Sequence, residues 1–294
     1  MKRVATEKIG KLAVVRTVQD LRQRVAAWHH AGETVALVPT MGALHPGHLA
    51  LVERGHALCD RVVASIFVNP TQFAPNEDFT RYPRDEAGDA AKLASARCDL
   101  LYAPDAAEMY PAGFVSSVST GALAEGLCGR FRPGHFTGVA TVVAKLLVQA
   151  QTDIACFGEK DYQQLQVIRR MARDLDIPVR IEGVPTLREP DGLALSSRNA
   201  YLSPEERAVA PALHRVLVEA SERIVRGEDS VAAALEEGHA ALLGAGFAKV
   251  DYVEVADGET LQPLKRLDRA ARILAAAWLG KTRLIDNLAI APIG

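Results

Sequence analysis

Residues 38–49 combine two histidines and two glycines at a spacing that suits an anion-binding site. The pattern is that of a strand end, a glycine turn and a helix start, where backbone N–H groups and the helix dipole favour an anion. Gly42 and Gly47 let a phosphate approach closely, and His45 and His48 share one side of the first helical turn. Both imidazoles can then stabilise charge during nucleotidyl transfer. Helix capping is the alternative role, and zinc is disfavoured because no third ligand stands at a suitable spacing.

Two amides follow a second apolar run, at residues 61–68. Ligands of open α/β sheets bind at the carboxyl ends of the strands, where Asn69 and Gln72 are expected to lie. Both side chains can donate and accept hydrogen bonds without adding charge. A plain turn capped by Asn69 and Pro70 is the alternative.

A lysine stands where residues 157–164 pass from an apolar run through a glycine into a helical pattern. A cation at a helix start is disfavoured by the dipole unless an anion is bound, so we expect Lys160 to contact ATP phosphates. Gln164, one turn further on, is expected to hold a hydroxyl or carboxylate of a substrate. The alternative is a solvated pair of Lys160 and Asp161.

The hydroxyls of Ser196 and Ser197 and the guanidinium of Arg198 form a compact set of phosphate donors. They follow a segment rich in Pro and Gly that indicates a domain boundary, and ligands often bind near such boundaries. A serine-rich turn with a surface arginine is the alternative.

Two weaker signals precede that boundary. Arg132 lies in a basic, glycine-rich loop at residues 129–138, which is expected to contact substrate or to close over it, or to be only a long connection. Asp89 is a possible contact for a Mg²⁺ ion held mainly by ATP, although an exposed helix face is the commoner role for such a residue.

The elements that position these residues alternate between apolar runs and helical patterns, which predicts a doubly wound parallel α/β sheet. The predicted strands are residues 34–39, 61–68, 99–103, 153–157 and 179–184. The predicted crossover helices are residues 49–59, 85–96, 139–151 and 162–175.

The pattern changes after residue 185, so the sequence predicts domains at residues 1–185 and 186–294. Ser203 is the predicted cap of a helix that runs into the 220s, because Pro204 and two glutamates follow it. A second helix at 231–243 and strands at 249–255, 272–279 and 283–286 complete a smaller α+β domain. We expect this domain to close over the site.

The composition excludes several classes of protein. With 294 residues, 49% hydrophobic and 24% charged, the chain is typical of a globular protein and not of a disordered one. The net charge of -2 disfavours nucleic acid and anionic membranes as partners. The sequence has no apolar window long enough to span a membrane and no signal-peptide core at residues 1–8, and its four cysteines form no C-x-x-C pair. These features favour a cytoplasmic protein that acts on small molecules.

Five segments occur together and in order, at residues 39–48, 67–73, 132–136, 158–164 and 196–199. In these segments the chain resembles the pantothenate synthetases, or pantoate–β-alanine ligases. That family belongs to the cytidylyltransferase-like superfamily, whose H-x-G-H motif is matched here by residues 45–48. The resemblance implies a Rossmann-like homodimer that condenses pantoate with β-alanine through a pantoyl adenylate, releasing AMP and pyrophosphate. It also implies ATP as a substrate with Mg²⁺ and no organic cofactor.

The resemblance also implies a role for individual residues. His48 is the implied proton donor, His45 assists at the phosphates, and Lys160 and Arg198 complete the catalytic set. Gln72 and Gln164 are implied to hold pantoate, with Gln72 also near β-alanine, and Asn69 and Arg132 complete the expected substrate contacts. The implied ATP-binding residues are Met41, Gly42, Ala43, Leu44, His45, Pro46, Gly47, His48, Gly158, Glu159, Lys160, Asp161, Leu187, Leu195, Ser196, Ser197 and Arg198.

Two departures from the family pattern stand out. Leu195 replaces the usual methionine, a near-isosteric change that leaves backbone contacts intact. Gly88 stands where relatives have an acid, which weakens the Mg²⁺ role carried over to Asp89. Two functions are alternatives to the ligase reaction. One is a nucleotidyltransferase that stops at the nucleotidyl product, and the other is a nucleotide-binding regulator without catalysis. Retention of His48, Lys160 and Arg198 together disfavours the regulator.

Overall fold

The computed structural model describes residues 7–10, 12–74 and 79–292. The predicted absence of a signal peptide concerns mainly residues 1–6, which lie outside the described part. The chain divides into two compact units. The first unit comprises Met1–Ala124, Arg132–Glu159 and Val167–Pro185, and the second comprises Glu125–Phe131, Lys160–Gln166 and Thr186–Gly294. The roles that the sequence assigned to its two domains stay predictions.

A seven-stranded sheet forms the centre of the first unit. Its strands are β1 (Glu7–Ile9), β2 (Leu12–Val15), β3 (Val35–Thr40), β4 (Arg61–Ile66), β5 (Leu100–Tyr102), β6 (Ile154–Gly158) and β7 (Arg180–Val184). They lie in the order β1-β2-β5-β4-β3-β6-β7, and all pairs are parallel except β1 with β2. The five neighbouring strands β5-β4-β3-β6-β7 therefore follow the strand order of a Rossmann fold, which confirms the predicted fold class.

The apolar strands of this sheet are covered on both faces, as parallel sheets require. Val35, Ala36, Leu37 and Val38 of β3 are all 0% exposed. The predicted strands are present as β3 to β7, with ends that differ by at most two residues. The sequence analysis did not predict β1 or β2.

The described residues form helices α1 (Val18–His30), α2 (Pro46–Leu58), α3 (Glu86–Ser95), α4 (Ala106–Met109), α5 (Cys128–Phe131), α6 (His135–Ala150), α7 (Tyr162–Asp174), α8 (Pro204–Val209), α9 (Ala212–Val225) and α10 (Val231–Ala245). Helices α2 and α6 begin three and four residues before their predicted starts at 49 and 139. The proline at position 46 fits the first turn of α2, since its fixed φ suits a helix and its missing N–H is not needed there. None of the helices in the described ranges is long and apolar enough to cross a membrane.

The second unit contains a three-stranded antiparallel sheet in the order β10-β9-β8, formed by β8 (Lys249–Asp257), β9 (Ala271–Leu279) and β10 (Thr282–Ile290). Its apolar core includes Leu213, Leu217 and Ile273, each 2% exposed or less. The predicted cap of α8 is confirmed, because Ser203 Oγ accepts the Glu206 N–H at 3.2 Å. The predicted single helix after this cap is wrong. It divides into α8 and α9 at Pro211, which has no N–H to continue the helical hydrogen bonds.

Candidate active site

The first unit places several predicted site residues at one edge of its sheet. β3 pairs with β4 on one side and with β6 on the other, so β3 and β6 flank the point at which the strand order reverses. Ligands of open α/β sheets bind at the carboxyl ends of the strands beside such a point. Met41 directly follows β3, and Gly158 is the last residue of β6.

A buried carboxylate holds the turn that follows β3. Asp89 is 1% exposed, and its Oδ2 and Oδ1 accept the N–H groups of Ala43 and Leu44 at 2.7 and 2.8 Å. Gly42 and Ala43 both adopt positive φ, at 83° and 51°. Lys92 Nζ donates to the Leu44 carbonyl at 2.9 Å and lies 3.4 Å from Asp89 Oδ1. The expectation of an exposed helix face at Asp89 is wrong, because its carboxylate shapes this turn. Its contact with Mg²⁺ stays a prediction.

The two histidines at the start of α2 cap the helix. His45 Nδ1 accepts the Gly47 N–H at 3.2 Å, and His48 Nδ1 accepts the His45 N–H at 3.3 Å. The ring centroids lie 4.1 Å apart. Because each Nδ1 is an acceptor, each neutral imidazole carries its proton on Nε2 and can donate from that atom.

The cap bears on the prediction that free backbone N–H groups at the start of α2 bind an anion. The expected backbone donors at the helix start have partners in the chain: Gly47 N–H bonds to the His45 ring, and the N–H groups of His48 and Leu49 bond to the His45 carbonyl. The expectation that these N–H groups are free is therefore wrong, while anion binding by the segment stays a prediction. The imidazole Nε2–H groups are further donors that such binding could use.

Asn69 and Gln72 form one buried network after β4. Asn69 is 1% exposed, and its Nδ2 donates to Gln72 Oε1 at 3.0 Å and to the Gly138 carbonyl at 3.2 Å. Its Oδ1 accepts from the Tyr110 hydroxyl at 2.8 Å. Burial raises the pKa of Tyr110 above its ordinary value, which keeps this hydroxyl protonated as a donor. Gln72 Nε2 lies 3.1 Å from Met41 Sδ, so the network reaches the turn after β3.

Arg132 connects to this network through a histidine. Its Nη1 lies 2.9 Å from His135 Nε2, and His135 Nδ1 lies 2.8 Å from the Gln72 carbonyl. An arginine can only donate, so His135 accepts at Nε2 and donates from Nδ1 to Gln72. The first turn of α6 therefore positions the Gln72 backbone.

Gly138 allows α6 to lie directly against the turn that carries Gln72. A Cβ atom at position 138 would lie 2.4 Å from the Thr71 carbonyl oxygen and 2.8 Å from the Gln72 nitrogen. Both neighbours are backbone atoms, so neither can rotate out of the way.

Lys160, Gln164 and the segment after residue 185 belong to the second unit. Lys160 lies in a short 3₁₀ turn before α7, with its side chain 19% exposed and its Nζ 3.6 Å from Asp161 Oδ1. The Lys160 carbonyl accepts from Asn287 Nδ2 at 3.0 Å. Gln164 is half-buried in the first turn of α7.

A tight hairpin carries the last predicted ATP-binding residues. Leu195 N–H donates to the Leu187 carbonyl at 3.0 Å, and Arg188 pairs with Ala194 in an antiparallel bridge. Ser196 Oγ then accepts the Arg198 N–H at 3.3 Å. Leu187 is 43% exposed, which leaves its surface accessible to a ligand.

The first unit thus brings together the turn after β3, His45, His48, Asn69, Gln72 and Arg132. The roles of these residues toward ligands stay predictions, as do those of the second-unit residues. Tyr110 and His135 were not among the predicted site residues. One sequence signal pointed to His135, because this residue ends the Arg-Pro-Gly-His motif at residues 132–135. No cluster of three or more His, Cys, Asp or Glu side chains suited to a metal occurs within residues 7–10, 12–74 and 79–292.

Comparisons with known proteins show the family to which the chain is similar. A family model described as pantoate-beta-alanine ligase matches residues 13–289, a range that includes every candidate residue. The pantothenate synthetase of Paramagnetospirillum magneticum is 63% identical over 279 residues, which cover 95% of this chain and 98% of that protein.

Solved structures show the same similarity. A pantothenate synthetase from Thermus thermophilus has a TM-score of 0.89 and 52% identity, with 95% of this chain and 99% of that chain covered. A pantoate-beta-alanine ligase from Francisella tularensis, complexed with β,γ-ATP and β-alanine, has a TM-score of 0.79 and 34% identity. This second match covers 94% of this chain and 97% of that chain.

Proposed function

The chain belongs to the pantoate–β-alanine ligase family, and we propose that the residues described above carry out the family reaction through a pantoyl adenylate. The enzyme condenses pantoate with β-alanine in an ATP-dependent reaction. The observation that carries the assignment of residues is the imidazole pair at the start of α2, beside the strand-order reversal of the sheet.

The chemistry of the substrates explains the need for an adenylate. A carboxylate does not react with an amine, because it has no good leaving group. In the first step a pantoate carboxylate oxygen bonds to the α-phosphorus of ATP, and the bond to pyrophosphate breaks. In the second step the β-alanine nitrogen bonds to the acyl carbon, AMP leaves, and the amine loses a proton. The site must exclude water, which would hydrolyse the mixed anhydride.

The first unit supplies donors for both substrates of the first step. The Nε2–H groups of His45 and His48 donate hydrogen bonds to ATP phosphate oxygens, and the His48 donor stabilises the negative charge that develops on the leaving pyrophosphate. Gln72 holds pantoate with uncharged hydrogen bonds, and Arg132 adds a cation near its carboxylate. Asn69 orients the Gln72 side chain instead of binding pantoate, because its two amide protons already bond to Gln72 Oε1 and the Gly138 carbonyl. The Arg132–His135–Gln72 chain keeps these groups in a fixed arrangement.

Further contacts to the nucleotide are proposed for Lys160 and for the segment after residue 185. Lys160 stabilises charge on the transferring phosphate, and Arg198 with Ser196 and Ser197 binds the phosphates. The exposed edge of the hairpin at Leu187 contacts adenine. Gln164 completes the pantoate contacts.

Magnesium enters this scheme bound to ATP. Each oxygen of the Asp89 carboxylate already accepts a backbone N–H at 2.7 or 2.8 Å, so this side chain is better suited to shaping the turn than to direct coordination. The phosphates and water would hold the ion, which would neutralise charge on the triphosphate.

An assay of AMP release tests this proposal. We expect AMP only when pantoate and β-alanine are both supplied in steady state, and stoichiometric pyrophosphate when pantoate alone is mixed with ATP. Repeated turnover without β-alanine would favour the nucleotidyltransferase. ATP binding without pyrophosphate formation would favour the regulator.

We also propose that the chain forms a homodimer, as the family pattern implies. An apolar groove of about 490 Å³ on the first unit is lined by Phe114, Val118, Ala144, Val148, Leu175 and Ile177. Val115, next to this groove in sequence, is 91% exposed, and Val148 is 51% exposed. Exposed apolar surface of this kind is typical of protein interfaces.

Light scattering after gel filtration tests the dimer. Val148→Asp is expected to give monomers, because it places a charge in the apolar groove, whereas Leu243→Asp on α10 is expected to leave the mass unchanged. A wild-type chain that stays monomeric across micromolar concentrations would contradict the proposal.

We assign the enzyme to the cytoplasm, in accordance with its four buried free thiols.

A further inference from the structure

Two adjacent residues of β10 each hold a different segment of the second unit. Asp286 and Asn287 are both 3% exposed. Asp286 accepts two hydrogen bonds from Arg188 of the hairpin, at 2.6 and 2.9 Å. Asn287 Nδ2 donates to the Lys160 carbonyl at 3.0 Å. Because successive residues of a strand face opposite sides of its sheet, one strand can hold both segments at once.

The contact with Arg188 fixes the shape of the hairpin as well as its place. Arg188 Nη1 also donates to the Gly192 carbonyl at 3.0 Å, so one guanidinium joins the hairpin turn to β10. His214 of α9 packs against the same turn, since a Cβ at Gly192 would lie 2.8 Å from its ring. The hairpin is therefore enclosed by a bidentate ion pair and an imidazole.

This ion pair contributes more to the orientation of the hairpin than to the free energy of unfolding. The Arg188 side chain is 19% exposed and the Asp286 side chain 2%. A buried pair recovers little free energy beyond the cost of removing its charges from water, but it fixes orientation. Burial alone raises the pKa of Asp286, yet the nearby His214 and Arg188 outweigh this effect and hold the pKa below its ordinary value. The carboxylate stays charged at neutral pH.

The contact with Lys160 is also supported from a second side. Asn287 Oδ1 accepts from Arg272 Nη1 at 2.9 Å, which leaves its Nδ2 group directed at the Lys160 carbonyl. The Arg272 guanidinium lies 4.0 Å from the ring centroid of Tyr162, the first residue of α7. The position of the Lys160 backbone thus depends on one amide with a fixed orientation.

We propose that Asp286 and Asn287 are positioning residues for ATP, with Asp286 acting on the hairpin through Arg188 and Asn287 acting directly on the Lys160 backbone. Neither residue needs to touch the nucleotide. The inference rests on the proposed function, which assigns adenine contacts to the hairpin and phosphate contacts to Lys160.

Two nearly isosteric substitutions separate the two contacts. Asp286→Asn turns an NH₂ group toward the Arg188 donors and loosens the hairpin. We expect it to raise KM for ATP about tenfold with little change in kcat, because the adenine contact contributes to binding in the ground state and the transition state alike. Asn287→Asp removes the donor to the Lys160 carbonyl. We expect it to lower the rate of pyrophosphate formation about tenfold with a smaller change in KM.

Amide hydrogen exchange gives a readout that does not depend on activity. Asp286→Asn is expected to speed exchange at Glu189 and Leu195, whose N–H groups bond across the hairpin. Asn287→Asp is expected to speed exchange in residues 160–163 instead. Arg226→Gln is the control, because Arg226 forms an exposed pair with Glu222 on α9 and should leave every value unchanged. If an isosteric variant does not fold, Arg188→Lys and Asn287→Ala test the same two contacts.

Several results would overturn the inference. Folded variants with the wild-type KM for ATP and the wild-type rate of pyrophosphate formation would refute it. It would also be refuted if the KM values of all three substrates changed equally and in proportion to a loss of thermal stability. The second result would show a merely structural role. If the wild-type chain itself releases no AMP with pantoate and β-alanine, the proposed function fails, while the exchange pattern still decides whether the two residues hold the two segments.

Discussion

Replacing Asp89 by asparagine removes one charge from the turn after β3 and changes almost nothing in shape. The carboxylate is 1% exposed and accepts the N–H groups of Ala43 and Leu44 at 2.7 and 2.8 Å. An asparagine can accept only one of these bonds well, since its NH₂ group must face the other donor. The variant therefore leaves one buried backbone N–H without an acceptor.

The cost follows from these two contacts. A hydrogen bond to a charged group contributes about 1.5–3 kcal/mol, and a buried donor left unsatisfied costs about 1–3 kcal/mol. Because the second effect partly contains the first, we expect Asp89→Asn to lower the free energy of unfolding by about 3 kcal/mol. We also expect KM for ATP to rise, because the turn leads directly into the two histidines.

Urea unfolding, followed by circular dichroism and tryptophan fluorescence, measures the loss. Asp60→Asn is the control for loss of charge, since one oxygen of the exposed Asp60, Oδ2, accepts both the Thr34 N–H and hydroxyl, at 2.9 and 2.8 Å. We expect a much smaller loss there, because the asparagine oxygen can keep both bonds and water reaches the side chain. Equal losses in the two variants would refute the argument that burial makes the Asp89 contacts strong.

Three further substitutions test the assigned roles. Lys160→Ala is expected to lower the adenylation rate by about 10² or more, the usual cost of removing a preorganised charge donor, and near-normal turnover would contradict its role. His48→Ala is expected to slow pyrophosphate formation more than the amine step, and an unchanged burst in rapid-quench experiments would remove it from the mechanism. Gly138→Ala is expected to cost about 1–3 kcal/mol and to weaken pantoate binding, because its Cβ would meet Thr71 backbone at 2.4 Å. Its control, Gly244→Ala on α10, has open space and is expected to be neutral or stabilising in the same unfolding and binding measurements.

The sequence was sufficient to predict the main elements of the fold, for reasons that are local. Strands β3 to β6 consist mainly of apolar residues, β7 alternates charged and apolar residues, and Ser203 carries a complete capping signal. β1 was not predicted because two of its three residues are charged, and β2 was not predicted because four residues are too few to show a period. The helix after Ser203 was predicted too long because a capping signal marks only the start of a helix, whereas Pro211 interrupts this one.

The candidate site was less predictable because its contacts are long-range. Asp89 lies 45 and 46 positions from the N–H groups it accepts, and Tyr110 lies 41 positions from Asn69. Nothing in the sequence around Asp89 distinguishes a buried carboxylate from an exposed one. Motifs could identify residue types suited to phosphate and carboxylate ligands, but only the fold shows which side chains hold those residues in place.

The histidine pair shows why two competing interpretations of one motif can both hold. Capping and phosphate binding were alternatives in the sequence, yet an imidazole has two nitrogens, and the cap occupies only Nδ1 of each ring. By accepting a backbone N–H there, each ring is fixed in orientation and in its Nε2–H tautomer. A serine or aspartate at the same positions would cap the helix equally well but would offer no proton on a second atom. Capping through Nδ1 is therefore compatible with the proposed donation from Nε2 to a phosphate.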